Sequence, residues 1–247
     1  MKFQKYMAVG LLGLTMALGF SGCQSENQKN QDAYRKIGIN SMAEGDYDKA
    51  VKSFQKALDT SLGKIGAEEI DICYYKAAAQ FAKKDYDGAI ETYTSLIDYD
   101  KENANAYYLR GSVYLDTDKK DKAFKDYKNA VKYAGREYEI YEGIYENLTN
   151  KGETEEAKNY LKKALDIKPK DGADYAEQGH VYYLLEDYTQ AKSSLDRAID
   201  KDDKTALLYL AEVYNATDQQ EQGQALLESY VKENAKDSEA LNTLGMF

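Results

Sequence analysis

Gly45-Asp46-Tyr47-Asp48-Lys49-Ala50 and Lys84-Asp85-Tyr86-Asp87-Gly88-Ala89 are two copies of one phrase, and its recurrence decides the fold. Further copies are Lys120-Asp121-Lys122-Ala123, Gly152-Glu153-Thr154-Glu155-Glu156-Ala157 and Glu186-Asp187-Tyr188-Thr189-Gln190-Ala191, with a weaker one at Asp218-Gln219-Gln220-Glu221-Gln222-Gly223. Their terminal small residues stand 39, 34, 34, 34 and 32 positions apart. The phrase ends one helix and begins the next. Glycine tolerates a left-handed cap, and aspartate accepts the orphan amide bonds of a new helix start.

The phrase carries a register on both sides. Twelve residues before each phrase-ending residue stands Gly38, Ala77, Gly111, Tyr145, Gly179 or Ala211, and four residues earlier an apolar one, among them Tyr34, Cys73 and Tyr107. Four residues after it come Phe54, Tyr93, Tyr127, Leu161, Leu195 or Leu227. Small residues at fixed points let two antiparallel helices approach closely, and large ones a turn away fill the space between them. One such pair cannot bury its own apolar face, so the pairs must stack. A single proline, Pro169, falls after the second helix of its repeat, where it interrupts no backbone bond. The separation of 39 places about five extra residues within Ser61–Glu69.

This period and register resemble the tetratricopeptide repeat. The resemblance implies an all-α, right-handed superhelical solenoid of about six antiparallel helix pairs plus a C-terminal capping helix. Repeats are expected near 31–64, 70–103, 104–137, 138–171, 172–203 and 204–237, with the cap at 238–247 carrying Leu241, Leu244, Met246 and Phe247. The chain departs from the family at Tyr145, which fills a small-residue slot and implies wider spacing in the fourth pair. Lys76, Arg110 and Gln178 fill a slot that is often leucine; their stems can cover apolar surface while their heads reach water.

The first residues read as a targeting segment. Lys2 and Lys5 precede an apolar run from Met7 to Phe20, too short for a comfortable transmembrane helix and of signal-peptide length. It ends in Phe20-Ser21-Gly22-Cys23, which resembles a bacterial lipobox, with Phe20 in the place of the usual leucine. The resemblance implies removal of 1–22 and diacylglycerol on Cys23, hence a lipid-anchored protein on the extracytoplasmic side of a membrane. Two acyl chains anchor stably where one does not. The polar stretch 23–30 is expected to be a tether.

Charge and the remaining chemistry narrow the function. The chain carries −10 overall, and −12 without residues 1–22. Such a surface repels phosphate backbones and argues against nucleic acid. His180 is the one histidine, so a serine or cysteine nucleophile would need it as base and nothing marks a partner, and a zinc site would lack the usual ligand set. It is expected to be a satisfied or surface residue, with no metal, cofactor or catalytic site. Cys73 occupies a large-apolar slot and is expected in the core, with no disulfide. The sequons at Asn147 and Asn215 are read as chance.

Family geometry puts the second, fifth, ninth and twelfth residues of each first helix on the concave face. The candidate partner-binding residues are Tyr74, Phe81, Tyr108, Glu139, Glu142, Glu146, His180 and Tyr183. Aromatics at such positions lose little entropy on contact, and three glutamates along one face favour a cationic partner. Arg35 is the only base in this register, so a clamp for acidic peptide termini is not expected. The expected function is a membrane-tethered scaffold for proteins or peptides. The alternatives are an assembly factor for an envelope complex (secretion, pilus or cell-wall synthesis) and an enzyme with an unrecognised site.

Overall fold

A computed structural model describes residues 26–61, 63, 65–235 and 245. Cys23 and the expected cap, with Leu241, Leu244, Met246 and Phe247, lie outside the described residues. Among those described there are twelve helices and no strand. The chain divides at Ala134/Gly135 into two compact units. The first holds α1 (Glu26–Ala43), α2 (Tyr47–Thr60), α3 (Ala67–Ala82), α4 (Tyr86–Tyr99), α5 (Ala104–Asp116) and α6 (Lys120–Tyr133). The second holds α7 (Tyr138–Asn150), α8 (Thr154–Ala164), α9 (Gly172–Leu184), α10 (Tyr188–Ile199), α11 (Ala206–Ala216) and α12 (Gln220–Glu233). Each unit is three antiparallel pairs in which consecutive helices pack against one another.

The phrase that recurs in the sequence is the corner inside each pair. Asp46, Asp85 and Asp187 each cap their helix by accepting the amide of the third residue on, at 3.0 Å from Lys49 N, 3.1 Å from Gly88 N and 3.1 Å from Gln190 N. The preceding residue is left-handed in all six pairs: Gly45, Lys84, Asp118, Gly152, Glu186 and Asp218 have φ between 57° and 81°. A backbone bond closes over each corner, as from Asp46 N to Ser41 O at 2.8 Å and from Lys119 N to Tyr114 O at 2.8 Å. Those bonds satisfy carbonyls that the helix end leaves orphaned.

The small-residue slot works by contact. A Cβ added at Gly38 would lie 2.4 Å from the Phe54 ring, and one at Gly179 would lie 2.6 Å from Leu195 Cγ. The pairs α1–α2, α5–α6 and α9–α10, which have glycine there, are the most closely packed. In the fourth pair Tyr145 is half-buried while Leu161 is fully buried. That pair packs about as closely as the two with alanine in the slot, rather than standing wider than the rest. Fully buried side chains such as Phe54, Ile72, Ile144, Leu161 and Leu195 form the layers between helices. Each contributes about 1.5–3 kcal/mol through its burial.

Two elements differ from expectation. Glu26–Asn30 form the start of α1 rather than a tether. No glycine or proline separates Gln24 from Asn30, and glutamate, glutamine and lysine are good helix formers, so polarity alone misled. The residues added between the first two repeats are divided between the 61–66 connection and an extra turn at the start of α3. Lys76, Arg110 and Gln178 do not simply reach water. Each meets a polar side chain of a second helix: Gln55 Oε1 at 2.7 Å, Asp126 at 2.7 and 2.8 Å, and Ser194 Oγ at 3.2 Å.

Candidate functional site

In the first unit the first helices of the first two repeats are joined side by side. Arg35 Nε of α1 donates to Asp71 Oδ2 of α3 at 2.8 Å, and Gln31 Nε2 donates to Glu69 Oε1 at 2.7 Å. The one base of the concave register is thus committed to an acid of the next repeat. Glu68 shares a hydrogen bond with Asp32. Burial first, then that bond and the neighbouring charges of Asp32 and Glu69, push the Glu68 carboxyl up to about 7.

The three aromatics proposed for this unit differ in what they can offer. The Tyr74 hydroxyl donates to Asn103 Oδ1 at 2.7 Å, and Asn103 also caps α5 by accepting from Ala106 N at 2.9 Å. Phe81 is half-buried, its ring 5.6 Å from Tyr86 and edge-on. Tyr108 is 7% exposed, with its ring 6.4 Å from Tyr127. It is part of the packing between α5 and α6 and presents little ring to a partner. A tyrosine has the same apolar body in a core as in a groove, so the register alone did not separate the two.

In the second unit the three glutamates of α7 do not share one environment. Glu139 is exposed and Glu146 is half-buried. Glu142 meets His180 of α9, with Oε1 2.9 Å from Nδ1 and side-chain exposures of 13% and 19%. The imidazole lies flat on Tyr209 of α11, centroids 4.3 Å apart and planes within 10°. Tyr183 stacks near it, one turn on, at 6.1 Å. Burial alone would lower the His180 ring, but the charge and hydrogen bond of Glu142, with Glu212 and Glu177, outweigh it and raise it to about 9. Glu177, one turn before His180, is pushed up to about 8 by burial and by the Glu142 charge, against the lowering effect of His180.

Donor atoms of Glu142, Glu177 and His180 all lie within 4.8 Å of one another. His180 is therefore a satisfied histidine, as expected, but it sits in a cluster that could ligate a cation, which was not expected. Glu177 and Tyr209 were missed. The signal was available for Glu177: it stands at i, i+3 from His180, and His180 stands one repeat and one turn beyond Glu142.

An apolar cleft of about 250 Å3 lies elsewhere in the first unit, where the 61–66 connection passes Leu58, Ile70, Cys73 and Leu96. Ile65 and Tyr99 on its rim are 56% and 55% exposed. Cys73 is half-buried, and burial pushes its thiol up, away from thiolate chemistry.

Three profiles described as tetratricopeptide or TPR repeats match residues 32–61, 104–136 and 146–171, residues 77–118, and residues 177–238, together more than half of the chain. The chain belongs to the tetratricopeptide repeat family. It is similar to anaphase-promoting complex subunit 3 of Schizosaccharomyces pombe, 21% identical over 217 residues that cover 76% of this chain and 33% of that protein. The chain thus spans about a third of the length of that relative. Among solved structures it resembles a tetratricopeptide repeat protein of Parabacteroides merdae, with TM-score 0.51, 15% identity and coverage of 89% of this chain and 85% of that one. It also resembles a thermophilic TPR protein of Thermus thermophilus, with TM-score 0.45, 20% identity and coverage of 87% and 97%.

Proposed function

We propose that this chain is a lipid-anchored scaffold on the extracytoplasmic side of a membrane, held through Cys23, that binds a protein or peptide through the first helices of its repeats. One observation carries the binding half: six helix pairs of a family whose members mediate protein–protein interaction. The yeast relative, by its name, is a subunit of a complex. Anchoring rests on the sequence Phe20-Ser21-Gly22-Cys23 after an apolar run. In the second unit, exposed Glu139 and half-buried Glu146, Tyr183 and Leu208 offer acid and apolar surface together. That combination suits a partner carrying basic and apolar residues, the acids steering it and the apolar groups holding it.

The test has two arms. Cys23→Ser is expected to abolish labelling by an alkyne fatty acid and to move the chain out of the membrane fraction; a labelled, membrane-bound variant would refute the anchor. Proteins captured from solubilised membranes by the parent are compared with those captured by Glu139→Gln/Glu146→Gln. A basic partner should be captured more weakly by the variant at low salt, with the difference shrinking as salt rises. Equal capture at every salt concentration would place recognition on another surface.

A further inference from the structure

We propose that Glu142, Glu177 and His180 bind a divalent transition-metal ion of the zinc type, which joins the first helices of the fourth and fifth repeats. The three donor atoms lie within 4.8 Å of one another, contributed by α7 and α9. Zinc binds imidazole nitrogen at about 2.0–2.1 Å and carboxylate oxygen at about 2.0–2.2 Å, so tetrahedral donors stand about 3.3–3.5 Å apart. His180 Nδ1 and Glu142 Oε1 are now 2.9 Å apart and need only to open slightly. The longest separation must close by at most about 1.5 Å, within the reach of rotations about a glutamate's side-chain bonds. One nitrogen and two carboxylates suit a zinc-type ion better than calcium or magnesium, which prefer oxygen alone.

A second observation is independent of those distances. Among the described residues, the Glu177 carboxyl has no hydrogen-bond donor, although it is largely withdrawn from water. Withdrawn carboxylates ordinarily have partners, so one without a donor calls for a cation or a proton. Apart from the His180 imidazolium, the charges around it are negative: Glu139 and Glu142 of α7 and Asp203 act on Glu177, and Glu212 of α11 acts on His180. No lysine or arginine pairs with any of the three donors among the described residues. The imidazole is already oriented, because Tyr209 stacks on it at 4.3 Å. With three protein ligands, the fourth tetrahedral position is left to water.

The single histidine makes the test specific. In the untagged, full-length, nitrogen-15-labelled chain, any imidazole signal reports on His180 alone. Titration with zinc chloride should convert that signal from its imidazolium pattern to a metal-bound one, saturating at about one equivalent, while magnesium leaves it unchanged. Glu177→Gln should weaken zinc binding by about 10–100-fold with helicity unchanged, since no hydrogen bond is lost. His180→Asn should remove the site. Glu212→Gln, outside the donor set, should bind zinc as the parent does. An imidazole signal unmoved at about ten equivalents of zinc, or Glu177→Gln binding like the parent, would overturn the proposal. Should His180→Asn lose helicity, the Glu177→Gln comparison decides alone.

Discussion

At each corner one residue carries a conformation that its neighbours impose. Six positions share the left-handed backbone, but only Gly45 and Gly152 are glycines. An L-residue there costs about 1–2 kcal/mol, which the corner's backbone bonds offset. Lys84, at φ 67°, is exposed. Lys84→Gly should therefore stabilise the fold by about 1 kcal/mol, read as a raised urea midpoint; a lowered midpoint would mean that the conformation is not strained. Gly179 is the opposite case, where room rather than backbone freedom decides. Gly179→Ala brings a Cβ to 2.6 Å from Leu195 Cγ and should cost about 1–3 kcal/mol. Leu195→Ala should then cost less in that background than in the parent, because the truncation removes the clash. Equal cost in both backgrounds would mean that the two positions are not in contact. Glycine in the slot was legible from the period, but the strain at Lys84 was not, since lysine gives no local sign of it.

Within a helix pair, the arrangement of polar side chains is the part that propensity does not contain. Arg110 of α5 grips Asp126 of α6 through Nε and Nη2, at exposures of 15% and 4%, and Nη1 donates to Thr94 Oγ1 at 3.0 Å. The guanidinium also lies 5.7 Å from the ring centre of Tyr107 and 5.9 Å from that of Tyr114. Much of the tyrosine excess is placed in this way. Tyrosine ring faces meet the charged heads of lysine and arginine, as Tyr175 does with Arg197 and Lys201. Asp126→Ala would leave a buried guanidinium without its acid and should cost about 3–5 kcal/mol by thermal or urea unfolding. Replacing both partners, as in Arg110→Met with Asp126→Leu, should cost far less than Asp126→Ala alone. If the double variant is the less stable of the two, the pair contributes more than its mutual compensation. The sequence showed that Arg110 stood in a leucine slot; that Asp126, sixteen residues on, would receive it depended on how closely α5 and α6 pack.

Over the whole molecule the balance of protons sets a pH dependence. Glu68 and Glu177 are raised from 4.5 to about 7 and about 8, and His180 from 6.5 to about 9. In each case the folded chain holds a proton that the unfolded chain has released within that interval. The proton favours the fold, so this stability is complete below the unfolded value and is lost as pH climbs to the folded one. The melting temperature should fall between about pH 4.5 and pH 9, and that of Glu177→Gln should fall less over the same range. A melting temperature that rises through this range would contradict the burial of the cluster. These groups also show where the sequence stopped being sufficient. The 34-residue period, the small and large slots and the corner phrase determined the helical repeat fold, because each is a local rule repeated until its sum is unambiguous. The sequence alone also marked His180 as solitary and the glutamates of α7 as one stripe. Only the tertiary structure placed Glu177 beside Glu142, turned Tyr108 into the core and laid His180 on Tyr209. Those contacts join residues roughly a repeat apart or on facing helices. Their electrostatics and burial depend on the distance between helices, which no local pattern encodes.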